Sequence, residues 1–418
     1  MATDTKKRRE KKNGTPREIK TKRRAIANLE AELLRRVRAQ AGLSRVELAR
    51  QLHLAPSTAG AYVDRLIAEG FLFETQKVER DLGRPPTLLS LNPEGGRFIG
   101  VDFEAHNLMA TAVDFSQQPM RRIHKAIRST DSVEQIIGKI ERTIEELMDH
   151  HSRTVLGIGM GVPGTIDPVN QIALHYPHIR DWNNIALGER LTKRFKVDVF
   201  LENNIRTMAL AELWFGQARK LQDFVCIGIR TGVAAGIVVR RRLLHGKNNL
   251  AGEIGEWLCP VAPLQRDPKS GRNTWDCQKL LPLEEIVSVP AILNAVSAAM
   301  KSSHSKALDD QQPLTIENIA AAAEAGDEIV RNVLERAAQT LGWVVCQLDA
   351  AFNPEKVILA GPLVALGEAL LEPLRKAVSE FCSRPQQEPP VVVDSDLGDF
   401  NGALGAAALA LHEWKPKR

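Results

Sequence analysis

Residues Leu43–Phe71 read LSRVELARQLHLAPSTAGAYVDRLIAEGF. Ser44 followed by Glu47 is a capping box, in which hydroxyl and carboxylate each satisfy a backbone N–H at a helix start. Leu48, Ala49 and Leu52 supply the apolar face of that helix, and His53-Leu54-Ala55 makes a short turn. Pro56 suits the first position of a second helix, where its missing N–H costs nothing. Val63, Leu66 and Ile67 bury the second helix before Gly70 stops it. Two short helices at this spacing present one of them to the major groove of DNA. Its start offers Pro56, Ser57, Thr58, Gly60 and Ala61, without an Arg, Asn or Gln to read a base edge bidentately. Arg65 further along, and Ser44 and Arg45 at the opening of the preceding helix, complete the DNA contacts expected from these two helices.

Leu29, Leu33 and Val37 place another helix before this pair by their i, i+4, i+8 spacing. After it, Phe71–Gln76 and Thr87–Leu91 read as strands of a wing whose tip, Lys77–Pro86, carries Arg84 toward phosphate or the minor groove. Ahead lies a basic arm. Its first 24 residues hold eleven Lys or Arg against three Asp or Glu, a net +8, whereas the whole chain carries only +5. Positive charge concentrated at one end predicts a disordered arm (residues 1–24) with a polyanionic partner. DNA discrimination is then expected to rest on Arg84, the arm and groove shape.

At 418 residues and 44% apolar composition the chain accommodates more than one large core. No apolar run reaches the ~20 residues needed to cross a bilayer. The charged amino terminus lacks the apolar segment of a secretory signal. Five scattered cysteines, without paired spacing, suit a reducing compartment. These features give the expectation of a cytoplasmic protein without membrane contact.

From Phe98 onward strands and helices alternate with glycines at strand ends, indicating an α/β fold with ligand crevices there. Asn92–Gly96 links this part to the winged helix-turn-helix, which spans residues 25–92. The segments SRVELARQLHLAPST, GRPPTLLSLNPEGGRFIGVD, GIGMGVPGTID, HIRDWNNIALGERL, LENNIRTMALAELWFG, GIRTGVAAGIVV, AGEIGEW, LEEIVSVPAI, VILAGPLVALGEALLEPLR and GALGAAALA occur in this order. Over about residues 17–410 the chain thereby resembles regulators of the ROK family, sugar-kinase-like proteins that often carry a winged helix. The resemblance implies a two-lobed actin/hexokinase-like (ribonuclease H-like) domain over 97–418. Lobe I would take about 97–215 and a C-terminal helix at 400–414, and lobe II about 216–398.

The kinase residues depart from the family pattern. The catalytic Asp of a Glu-Asn-Asp motif is replaced in Glu202-Asn203-Asn204, and an amide does not accept the sugar proton near neutral pH. The first phosphate loop, Asp-x-Gly-Gly-Thr in the kinases, reads Asp102-Phe103-Glu104-Ala105-His106, losing both glycines and gaining a repelling carboxylate. The second, Ile229–Gly236, and the segment Ala360–Leu363 are only partly preserved. The resemblance implies sugar contacts from Asn203, Asn204, Glu253 and Glu284, with Glu256 where the family has His. Carboxylates and amides are what a hydroxyl-rich ligand requires. The competing assignment is that Glu253 caps a helix and Glu256 lies in solvent.

Cys259 and Cys277 are too few and too distant for the tetrahedral zinc site of some relatives, so neither metal nor cofactor is expected. The reading is a non-enzymatic, DNA-binding regulator, expected to repress as a homodimer or homotetramer on a duplex operator under a sugar or sugar-derivative effector. An active sugar kinase and a ligand-independent DNA-binding protein with a dimerising kinase-like scaffold remain alternatives. Whether effector releases or recruits DNA stays open.

Overall fold

The computed structural model describes residues 16–76, 87–149, 154–261, 265–266, 273–274, 280–302, 305, 307–309, 312–382 and 388–417. Three helices open it: α1 (Pro16–Ala39), α2 (Arg45–Gln51) and α3 (Pro56–Ala68). The capping box forms as expected, Ser44 N and Oγ both donating to Glu47 while Glu47 N donates to Ser44 Oγ. Strands β1 (Leu72–Gln76) and β2 (Thr87–Leu91) pair antiparallel as the wing. The wing tip with Arg84, the first fifteen residues and Cys277 lie outside the described residues. One boundary moves. α1 begins at Pro16, so residues 16–24, assigned above to a disordered arm, are helical. Arg, Lys and Glu are strong helix formers, and a long basic run reads as extended only when its charge is weighed without its propensity.

The remainder contains two five-stranded sheets. The first lobe joins β3 (Arg97–Phe103), β4 (Asn107–Asp114), β5 (Pro119–Ala126), α4 (Val133–Asp149) and β6 (Val155–Val162). After a small sheet of β7 (Thr165–Asp167), β8 (Ile172–His175) and β9 (Asn183–Ile185) come α5 (Leu187–Phe195), β10 (Asp198–Asn203) and α6 (Asn204–Trp214). Its strand order is β10-β6-β3-β4-β5, with β10, β6 and β3 parallel and the other pairings antiparallel.

The second lobe begins with β11 (Phe224–Ile229), β12 (Val233–Val239) and β13 (Arg242–Leu243). Four short strands follow, β14 (Leu258–Pro260), β15 (Gln265–Arg266), β16 (Asn273–Thr274) and β17 (Leu280–Pro282). Then come α7 (Glu284–Val287), α8 (Val289–Ser302), α9 (Ile316–Glu324), α10 (Glu328–Phe352), β18 (Lys356–Ala360), α11 (Glu368–Phe381) and β19 (Val391–Asp394). The order β13-β12-β11-β18-β19 repeats the antiparallel meander plus parallel strands of the first sheet. α12 (Asn401–Glu413) then returns to the first lobe.

Close packing explains the Gly- and Ala-rich sequence of α12. A Cβ at Gly159 of β6 would sit 1.7 Å from the Ala406 carbonyl, so helix and sheet touch backbone to backbone. At its far end α12 joins the DNA-binding module to the body. Leu33, Leu34, Leu72 and Leu89 share one buried cluster with Phe98, Phe115, Leu404 and Trp414. The Phe71 and Phe115 rings stack at 5.1 Å, and Trp414 meets Phe71 edge-on at 5.2 Å. His412 stacks on Trp214 at 3.6 Å. Burial, with Arg38, Arg35 and Arg241 nearby, holds its imidazole neutral, well below the usual histidine range. Among the described residues no helix is long and apolar enough to cross a membrane.

A single core spanning module and body predicts one unfolding transition for both. Trp414→Ala is expected to lower stability by about 3–5 kcal/mol, read by chemical denaturation. Separate melting of the winged module with the body unchanged would contradict the shared core.

Candidate effector cleft and DNA interface

The β10–α6 junction carries the Glu-Asn-Asn triplet to the cleft between the lobes. Asn203 is the N-cap of α6, its Oδ1 accepting from Ile205 N at 2.9 Å and Arg206 N at 3.3 Å. Its Nδ2 donates to the Gly164 carbonyl at 3.0 Å, leaving one amide hydrogen uncommitted. Gly164 itself has φ +74, and a Cβ there would meet the His175 carbonyl at 2.1 Å, so glycine is required. Asn204 is buried beside it.

A cavity of about 140 Å³ lies here, lined by Asn203, Asn204 and Tyr176 from one lobe and Arg230, Glu253 and Glu284 from the other. Four of the five residues expected at the effector site are therefore brought together. Glu256 is not; it is exposed and does not line the cavity. Its 3-10 turn, Ile254–Glu256, buries Ile254 and Gly255 and leaves Glu256 at the surface. Glu253 holds the N-cap position of that turn without any side-chain capping bond, so its carboxylate is not consumed by the helix start. Burial raises the Glu253 carboxyl above its ordinary value, opposed by Arg206 and reinforced by Glu256 and Glu284. Glu284 accepts from Val233 N at 3.2 Å, fixing it beside the β11–β12 turn.

Three further residues organise this wall. Glu202 Oε1 accepts from Arg206 Nε at 2.8 Å, and its Oε2 bonds His245 Nε2 at 2.7 Å. Arg206 also donates to the Asn249 carbonyl at 2.8 Å. The loop that leads to Glu253 is thus tied to α6. The i, i+4 spacing of Glu202 and Arg206 was visible in the sequence, but only burial shows that the pair braces a loop.

Beyond the cavity, the two degraded phosphate loops meet. Arg230 donates to Asp102 Oδ2 at 2.6 Å, the two side chains only 8% and 1% exposed. Burial nonetheless raises the Asp102 carboxyl to about 6, with Arg230 opposing. Thr231 donates to Glu104 at 3.4 Å, and the Tyr176 hydroxyl bonds both Thr231 and the Ala105 backbone. Arg230 and Glu104 also border a second cavity of about 450 Å³, whose lining includes Asp102, Glu317 and Asp399. A nucleoside triphosphate entering there would meet these carboxylates, and the Arg230 guanidinium beside them is already paired with Asp102. No sequence signal links Asp102 to Arg230, which lie 128 residues apart.

In the winged module Pro56, Ser57, Thr58 and Ala61 are exposed at the start of α3, and Gly60 has open space around it. This face is free for phosphate or a groove floor. Three other expected contacts are engaged internally. Ser44 is held in the capping box. Arg45 bridges Asp64 at 2.6 Å and Glu74 at 2.7 Å, tying α2 to α3 and β1. Arg65 reaches back to buried Glu30 of α1 at 3.0 Å and lies over the Tyr62 ring. Cys259 is buried in the second lobe, its thiol pushed up to about 11 by burial. Among the described residues no group of three or more His, Cys, Asp or Glu could hold a metal ion.

The ROK family profile matches residues 98–413, and a winged helix-turn-helix DNA-binding profile matches residues 29–72. The chain is similar to the xylose repressor of Caldicellulosiruptor bescii, at 26% identity over 89% of this chain and 92% of the relative. It is similar also to a glucokinase of Thermotoga maritima, at 30% identity over 75% of this chain and 96% of the enzyme. A solved ROK family transcriptional regulator, a homologue of the Escherichia coli MLC protein, superposes with a TM-score of 0.77. That match has 25% identity and covers 93% of this chain and 97% of the regulator. Profile, fold and module order agree: the chain belongs to the ROK family and carries an N-terminal winged helix-turn-helix of the DNA-binding type.

Proposed function

We propose that this protein is a cytoplasmic transcriptional repressor that binds duplex DNA as a homodimer or homotetramer and senses a sugar or sugar derivative without phosphorylating it. The observation that carries the reading is the Asp102–Arg230 pair, buried where a kinase would cradle phosphate. It stands beside Asn204, an amide at the position of the proton acceptor. Phosphoryl transfer is catalysed almost entirely by positioning and charge stabilisation, so a phosphate loop that has lost both glycines, gained Glu104 and paired Asp102 with Arg230 weakens it as a missing base does.

The cleft connects physically to the DNA-binding module. α6 starts at the effector wall and, at ~1.5 Å per residue, ends about 16 Å away at Trp214. There the indole stacks on His412 of α12, which leads directly into Trp414 of the shared core. A ligand that favours one separation of the lobes would shift α6 and α12 together and so change the spacing of paired recognition helices. Coupling of this kind is reciprocal, and its sign is set by which lobe arrangement DNA prefers.

Purified protein incubated with ATP and a sugar panel is expected to release no ADP above the sugar-free control, while at least one sugar raises its melting temperature. Asn204→Asp is expected to leave ADP release at zero, because the phosphate site stays filled. Turnover near the ~1–100 s⁻¹ of kinases would establish the kinase alternative. Unchanged melting across the panel would favour the ligand-independent one.

DNA affinity is expected to fall steeply with salt. Six phosphate contacts would give a log–log slope of about −5, and a slope near −1 in a fluorescence-anisotropy titration would count against the basic arm. Arg230→Met is expected to cost about 3–5 kcal/mol by leaving Asp102 buried and unpaired, and Asp102→Asn with Arg230→Met to recover most of it. Urea denaturation of both variants beside the unaltered protein reads this out.

A further inference from the structure

The charges around the small cavity define which sugars it can take. Its lining holds three carboxylates, Glu104, Glu253 and Glu284. The one guanidinium among them, Arg230, is committed to Asp102 at 2.6 Å. His178 also reaches the mouth, but it is exposed and packs on the Tyr176 ring. The buried side of the cavity therefore carries excess negative charge. Glu104 stands at the boundary with the larger cavity, since it and Arg230 line both. One of its oxygens accepts from Thr231 at 3.4 Å.

We infer that the effector is an unphosphorylated, monosaccharide-sized sugar or amino sugar, and that Glu104 selects it by accepting a hydroxyl or ammonium hydrogen while rejecting a phosphate ester. The inference rests on the sugar-sensing reading above and adds the chemical class. A carboxylate accepts up to four hydrogen bonds and donates none when ionised, so a hydroxyl or ammonium group is complementary to it. A phosphate brings a charge of about −1.5 to −2 and acceptor oxygens only, facing Glu104 with the nearby cation already neutralised. Specificity here comes from a repulsive element as much as from an attractive one. The cavity, about 140 Å³, is on the scale of a single sugar ring.

The test is isothermal titration of the full chain with hexoses, pentoses and 2-amino hexoses, each paired with its terminal phosphate ester. At least one parent sugar is expected to bind, and its ester to bind at least tenfold more weakly, a difference of about 1.4 kcal/mol. Glu104→Gln, nearly isosteric, is expected to narrow that gap at least threefold, and raising the salt to narrow it in the unaltered protein. An ester that binds as tightly as its parent sugar, or more tightly, overturns the inference and leaves the effector reading standing. A gap unchanged in the Glu104→Gln variant overturns the assignment to Glu104. Failure of every compound in both proteins overturns the effector reading itself and this inference with it.

Discussion

A carboxylate and a guanidinium withdrawn from water together must stay paired, because either left alone would carry the full cost of desolvation. Asp102 closes a strand of the first lobe and Arg230 closes a strand of the second, so their pairing holds the two lobes in register. The Tyr176–Thr231 and Thr231–Glu104 bonds continue the same seam. The cleft is consequently divided into a small polar cavity and a larger one walled by carboxylates. A kinase needs that passage open to bring phosphate to hydroxyl. Here the Asp102–Arg230 pair stands where the two cavities adjoin.

Around this pair the wall of the small cavity is braced rather than merely lined. Glu202, Arg206 and His245 use their polar atoms on one another and on the loop backbone, which fixes where Glu253 can sit. Asn203 Oδ1 accepts from two amides at the start of α6, so the cavity wall and the first turn of that helix are joined by hydrogen bonds. That helix lies against α12, and the backbone contact at Gly159 leaves no slack between α12 and the first sheet.

The winged module shows the same economy. Its most conspicuous arginines near the recognition helix, Arg45 and Arg65, hold helices together, and the exposed start of that helix is small and uncharged, with Asp64 further along held by Arg45. Hydroxyls and methyl-sized groups on such a face let a helix approach the groove floor closely, while charge for phosphate comes from elsewhere in the chain.

Local patterns made much of this molecule legible in one dimension. The capping box at Ser44, proline at the start of α3, alternating strands and glycines at strand ends are short-range signals, and α2, α3, the wing and most strands of both sheets follow them. Asn203, Asn204, Glu253 and Glu284 could be grouped because a family resemblance supplied the long-range contact that spacing lacks. Glu256 shared that motif yet turns outward, because one 3-10 turn separates it from Glu253 and local proximity does not determine direction. The helical start at Pro16 was hidden because charge and propensity give opposite readings of the same basic run. Only tertiary structure could decide that Asp102 meets Arg230, that Arg45 and Arg65 are engaged, and that module and body share a core. Each depends on groups far apart in the chain being desolvated together, and the energy of that event belongs to the pair in space, with no trace in either residue's neighbourhood along the sequence.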